Sequence, residues 1–160
     1  MLIKGIKDEC FGDFKMPGML IVFPWCKGFK CDKENGNQIC QNSHLANEPV
    51  IEIAPQEIVD RYLNNPIPKA LICGGLEPFD SIHELYLLIT EFRKKSDDPI
   101  VIYTGYTEDE CNQMLGFQQI KWSGNIYIKY GRFQPNHQPH YDDILGVTLA
   151  SNNQYGLYYK

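Results

Sequence analysis

The stretch Lys69-Ala70-Leu71-Ile72-Cys73-Gly74-Gly75-Leu76-Glu77-Pro78-Phe79-Asp80-Ser81 decides how the chain folds. Its first five residues have the length and apolar character of a strand buried on both faces, and the two glycines then break the run as a turn. From Ser81 to Lys95, Ile82, Leu85, Tyr86, Ile89 and Phe92 recur at helical spacing, and Ser81 with Glu84 has the pattern of a capping box. Pro99-Ile100-Val101-Ile102-Tyr103 repeats the strand pattern and also ends in a Gly-containing turn. The result is a strand, helix, strand unit, the building block of a parallel sheet with its functional loops at the carboxyl ends of the strands.

Upstream, Met19-Leu20-Ile21-Val22-Phe23, closed by Pro24, reads as another buried strand, and Gln56 to Asn64 as a helix opened by Pro55. Downstream, Thr107 with Glu110 caps a short helix that Gly116 terminates, and strands are expected at Asn125 to Tyr130 and Gly146 to Ala150. These elements predict a single α/β domain over residues 1–160 with a mostly parallel sheet. Three segments break the alternation. Lys27 to Glu48 is polar and too long for an idle connection, so the loop at about 24–48 is expected to fold around something. Gln134 to Asp143 reads as a polar loop with His137 and His140 solvated, and Ser151 to Gln154 as a break before the aromatic tail Tyr155 to Tyr159.

A length of 160 residues suits one core. Fifteen Lys and Arg against twenty Asp and Glu leave a net charge of −5, which argues against nucleic acid as a partner. No apolar run is long enough to span a bilayer and no signal core opens the chain, so a cytoplasmic protein without membrane contact is expected. The six cysteines then read as thiols for metal or catalysis rather than as disulfides. Cys10, Cys73 and Cys111, scattered in or near apolar runs, suit packing. Cys26, Cys31 and Cys40 instead cluster in one polar window directly after a strand.

Thiolates so close in sequence can converge on a soft metal centre. With His44 they also complete a Cys-x4-Cys-x8-Cys-x3-His series, a donor set that zinc accepts, and a zinc-stabilised binding module without catalysis is the alternative. The Gly74-Gly75 pair would let a ligand approach the backbone, with Glu77 beside it. Tyr103-Thr104-Gly105-Tyr106-Thr107 ends the next strand and offers hydrogen bonds to the same ligand.

In this order the features resemble the radical S-adenosylmethionine (SAM) superfamily: cysteines after the first strand, a Gly-Gly-x-Glu-Pro turn after the second, and a later polar turn. The likeness is greatest to the activating proteins of anaerobic ribonucleotide reductase. Ile100 to Thr107, Lys129-Tyr130-Gly131-Arg132-Phe133 and Gly146 to Gln154 resemble their later elements, so the similarity spans about Phe23 to Gln154. The usual cysteine spacing of that superfamily is three residues and then two, with an aromatic before the last cysteine. Here it is four and then eight, with Ile39 before Cys40, and Lys129 stands where the activating proteins typically carry an acidic residue.

The resemblance implies a partial (β/α) barrel in which Cys26, Cys31 and Cys40 bind three irons of a [4Fe-4S] cluster. Gly74, Gly75, Glu77, Pro78, Thr104, Gly105, Tyr106 and Asn42 would bind SAM. No catalytic residue is implied beyond the cluster and SAM. It further implies an oxidoreductase that places a glycyl radical on a large partner subunit, anaerobic ribonucleotide reductase, with reduced flavodoxin or ferredoxin as electron donor. A radical SAM enzyme with a different acceptor would share the same residues. Tyr141, Ile144, Leu145 and the aromatic tail are the expected border of the partner surface.

Overall fold

A computed structural model describes residues 1–160. In chain order the elements are β1 (Leu2–Ile3), β2 (Gly5–Cys10), β3 (Gly18–Phe23), α1 (Lys30–Asn35), β4 (Ile51–Glu52), α2 (Pro55–Asn64), β5 (Leu71–Gly75) and α3 (Ile82–Arg93). They continue as β6 (Ile100–Tyr103), α4 (Glu108–Asn112), α5 (Phe117–Lys121), β7 (Ile126–Tyr130), β8 (His140–Asp142), β9 (Val147–Leu149) and β10 (Tyr155–Tyr159). Six strands form one sheet in the order β10-β7-β6-β5-β3-β2, while β1 pairs with β4 and β8 with β9 in two small ribbons. The four inner strands, β3, β5, β6 and β7, run parallel, and both edges are antiparallel. The architecture is therefore α/β with a mixed, mostly parallel sheet, open at its edges rather than closed into a barrel.

Alternation along the inner strands builds two cores, because successive side chains of a strand point to opposite faces. Met19, Ile21, Phe23, Leu71, Cys73, Ile100, Ile102, Ile126 and Ile128 face one side. There they bury the apolar stripes of α2 (Ile58, Val59, Tyr62) and α3 (Leu85, Leu88, Ile89, Phe92), together with Cys111, Phe117 and Ile120. Ile72 and Val101 face the other side and pack with Cys10, Phe14, Leu145 and Leu149. Cys10, Cys73 and Cys111 are all buried packing residues, as expected.

Several boundaries differ from the sequence reading, each for a local reason. Gly74 and Gly75 belong to β5 and pair with Val22 and Phe23, so the glycine pair extends the strand and the turn begins at Leu76. The Ser81 capping box does not form: Pro78 opens a 3-10 turn over Pro78–Ser81 whose cap is the Glu77 carboxylate, leaving the buried Ser81 hydroxyl without a partner. Thr107 and Glu110 do cap α4 reciprocally, at 2.9 and 3.2 Å. That helix stops at Asn112, and Gly116, at φ 93°, opens α5 rather than closing α4.

The segment Gln134 to Asp143 is not wholly loop, because His140 to Asp142 pair with Val147 to Leu149. The expected strand at Gly146 to Ala150 is thus a hairpin arm outside the main sheet. The aromatic tail is β10, an edge strand of that sheet against β7, and Leu145 is fully buried, so neither is simply free border surface. Tyr141 and Ile144 are exposed. No helix is long and apolar enough to cross a membrane.

Candidate functional site

The carboxyl ends of the parallel strands, the cysteine-bearing segment and β9 enclose a cleft of about 440 Å³. Its floor is the sheet face away from α2 and α3, lined by Leu20, Val22, Ile72 and Gly74. Cys26, Cys31 and Cys40 all line this cleft, as do Asn42, Gly74, Gly75, Glu77, Thr104 and Gly105. Tyr106 lines a small adjoining recess that shares Cys26, Cys31, Glu77 and Gly105 with the main cleft. Pro78 is buried beneath the turn it starts and reaches neither space. His44 lies on a 3-10 turn at Ser43–Asn47 and does not line the cleft.

The unusual cysteine spacing has a structural account. Cys31 lies in α1, which ends at Gly36 in the left-handed conformation that glycine tolerates best. The Asp32 carboxylate then accepts hydrogen bonds from the backbone N–H groups of Ile39 (2.8 Å) and Cys40 (2.7 Å). One side chain thereby folds the eight-residue excursion back on itself and returns Cys40 to the cleft. Asn42 fixes the next step, donating to the Gly75 carbonyl at 2.7 Å. At the other end of the segment, the Glu77 N–H donates to the Trp25 carbonyl at 2.7 Å and the Lys27 N–H donates to Asp80.

Burial pushes the Cys26 thiol up to about 12, with the Glu77 and Asp80 charges adding to the effect. Cys31 is also raised by burial, against the Phe133 N–H and the Lys129 and Arg132 charges, which favour its thiolate. Cys40 adds a smaller upward contribution to both Cys26 and Cys31. As they stand, no group of three or more His, Cys, Asp or Glu side chains is arranged to hold a metal ion.

Glu77 is the hub of the turn. One carboxylate oxygen accepts from the Phe79 N–H (3.1 Å) and the Thr104 hydroxyl (2.8 Å), and the other accepts from the Gly105 N–H (2.8 Å). Burial pushes its carboxyl up to about 7, and those three hydrogen bonds pull in the opposite direction. Its present role is to clamp the ends of β5 and β6 together. Thr104 accepts in turn from the Tyr106 N–H, and the Tyr106 hydroxyl donates to Asp80 at 2.7 Å.

Four contributors were not assigned a site role from the sequence: Asp32, Lys129, Arg132 and the Phe133 N–H. Lys129 lines the cleft and is held down to about 8, chiefly by burial. Arg132 forms a bidentate pair with Glu110 (2.7 and 2.9 Å) and an ion pair with Glu34 (3.0 Å), tying the turn after β7 to α4 and to α1. The late elements singled out in the sequence meet here: Gln154 and Asn153 donate to the carbonyls of Gly131 and Arg132. Only the position of Asp32 directly after Cys31 was a usable signal, since the other three act through distant partners.

Comparison with known proteins gives no match: no family model fits the chain, and no significant similarity is found to a curated protein or a solved structure.

Proposed function

We propose that the chain is a radical SAM oxidoreductase of the glycyl-radical-activating type, with its sheet serving as an open half-barrel. The observation that carries the reading is the meeting of three thiols, Asn42, the Gly74 to Glu77 stretch and the Thr104-Gly105 turn on one cleft at the carboxyl ends of parallel strands. This is where ligands of parallel α/β sheets bind.

The donor set suits an iron-sulfur cluster better than a single zinc ion. Of the four residues of the zinc alternative, His44 is off the cleft, which leaves three thiols facing it, the complement of a cluster with one open iron. Cys26, Cys31 and Cys40 would hold three irons of a [4Fe-4S] cluster, with Lys129 and Arg132 offsetting negative charge near Cys31. When bound, such a cluster supplies one electron to the sulfonium of SAM, the source of a carbon radical able to take a hydrogen atom from a glycine of the partner.

The chain's own residues do the positioning. Asp32 holds Cys40 in place, Asn42 secures the loop to Gly75, and Glu77 aligns the Thr104-Gly105 turn as the wall against which SAM would lie. Because the Cys26 and Cys31 thiols are raised, loading must displace protons and is favoured as pH rises. The open cleft leaves room for a partner subunit, for which anaerobic ribonucleotide reductase is the proposed identity, with flavodoxin or ferredoxin as donor.

The test is anaerobic reconstitution followed by dithionite and SAM. A brown protein with about four irons and four sulfides per chain that releases 5′-deoxyadenosine is expected. One colourless equivalent of zinc, or an intact cluster without that product, overturns the reading. Added reductase should then show a glycyl radical by electron paramagnetic resonance.

A further inference from the structure

Two of the three thiols can be approached from a second side. Cys26, Cys31, Glu77 and Gly105 line both the large cleft and the small recess beside it, whereas Lys27, Lys30, Asp80, Tyr106 and Arg132 line the recess alone. Cys26 and Cys31 therefore stand in the wall between two openings. Cys40, Asn42, the glycine pair and the apolar floor belong to the cleft side only.

The recess side carries a concentration of positive charge. Lys27, Lys30 and Lys33 fall within seven residues of a chain whose net charge is −5. The one acid among those seven, Asp32, is turned to the Ile39 and Cys40 N–H groups. Lys33 reaches back to lay its ammonium against Gly28, two residues past Cys26. The ion pairs nearby use other cations: Arg132 with Glu110 and Glu34, and Lys30 with Glu110. Lys27 and Lys33 form none, and both are exposed. The carboxylates on the recess are already met by donors, Glu77 by Phe79, Thr104 and Gly105, and Asp80 by the Tyr106 hydroxyl and the Lys27 N–H. Exposed lysines are ordinarily just solvated, but these two stand at an opening that reaches two thiols without entering the cleft.

On the function proposed above, SAM and the partner's glycine fill the cleft when an electron is needed, so the reductant has to approach from outside it. We propose that the recess with its rim of Lys27, Lys30 and Lys33 is the docking face for an acidic one-electron carrier protein of the flavodoxin kind. The inference rests on that functional reading and adds to it where the carrier sits and by what charge it is held. One electron passes from the carrier's reduced flavin to the cluster: the flavin is oxidised by one electron, the cluster is reduced by one, and no bond forms or breaks. Complementary charge speeds such encounters by roughly 10- to 1000-fold and makes them sensitive to salt. Transient redox contacts need only a small interface.

The experiment compares the reconstituted parent chain with a double variant, Lys27→Glu with Lys33→Glu. Flavodoxin binding is measured by calorimetry, and 5′-deoxyadenosine formation is measured with reduced flavodoxin and, separately, with excess dithionite. The variant should bind flavodoxin about 10-fold or more weakly at ~0.01 M ionic strength, and the gap should narrow at ~0.15 M as screening shortens the reach of the charges. Formation driven by flavodoxin should fall in parallel, while iron content and the dithionite-driven yield match the parent. Lys27→Gln with Lys33→Gln takes the same role if charge reversal impairs cluster loading. Equal binding and equal flavodoxin-driven formation in parent and variant, or no binding of flavodoxin to the parent, overturns the docking face; the dithionite-driven product then keeps the functional reading standing. If the parent forms no 5′-deoxyadenosine even with dithionite, the functional reading falls and the docking face with it.

Discussion

The parallel sheet and the cysteine-bearing segment at 27–48 are built in opposite ways. Ile100, Val101 and Ile102 are wholly buried, and their strand is held on both sides by β5 and β7. The segment carrying Cys31 and Cys40 has no buried residue in α1 or in the 3-10 turn that follows. It is held by polar contacts alone: hydrogen bonds to the Asp32 carboxylate, hydrogen bonds from Asn42, Lys4 and the Lys27 N–H, and the ion pairs of Glu34 with Arg132 and Lys30 with Glu110. Apolar burial makes the sheet a cooperative unit, whereas isolated polar contacts let the segment open on its own.

The largest expected effect lies in the sheet. Ile102→Ala should lower global stability by about 2–5 kcal/mol, because it leaves a cavity between β6 and the helices. Urea denaturation measures this as a shift in midpoint, and a loss below about 1 kcal/mol would show that the sheet is less tightly packed than its burial implies. Next is Gly131→Ala. Gly131 has φ +96° and its added Cβ would stand 2.9 Å from the Asn153 carbonyl oxygen, a combination worth about 1–3 kcal/mol of strain. Thermal melting should show the loss.

Asp32→Ala probes the other region. Its effect should be local, roughly 1–3 kcal/mol of order in the loop, with little change in the global midpoint. Faster amide exchange at Ile39 and Cys40, together with lower iron content after reconstitution, is the expected pair of results. Equal destabilisation of the whole protein would erase the contrast between the regions.

The smallest effect concerns Glu110, whose carboxyl the Arg132 guanidinium holds down to about 2 from 4.5. A carboxyl lowered on folding contributes stability that is present above its unfolded pKa and lost as pH falls through its folded one. The parent should therefore exceed Glu110→Gln in melting temperature at neutral pH, and the gap should close between pH 4.5 and about 2. Partial exposure keeps the difference below about 1 kcal/mol.

What could be read in the sequence follows the same division. Strands β3, β5 and β6 were visible because burial on both faces demands apolar runs, and β7 because only Lys129 interrupts its run. Strand β2 was missed: Lys7, Asp8 and Glu9 stand in a half-exposed edge strand, where side chains answer to solvent rather than to a core. The hairpin β8–β9 was missed in part because His140, Tyr141 and Asp142 lack any apolar pattern and pair by backbone alone. Ser81 misled because its capping pattern is local, while Pro78 and Glu77 had already set the turn before it.

For the site, the three cysteines stand out because polar neighbours argue against packing, and Asn42 because it lies just beyond Cys40; the structure brings all four to one cleft. The fastening of the site was not legible. The Phe133 N–H at Cys31 and the Arg132 pairs with Glu34 and Glu110 depend on long-range closure of the fold. Glu77 was expected to face a ligand, yet its oxygens are occupied by the backbone and by Thr104.

Lys4 reaches from the N-terminal ribbon to the carbonyls of Ala46 and Glu48, fastening the far end of the cysteine segment as Trp25 and Glu77 fasten its start. A segment pinned at both ends and soft between them sets an order of assembly. Under the function proposed above, the scaffold is completed first and a cluster would be installed afterwards, so maturation becomes a step separable in time from folding.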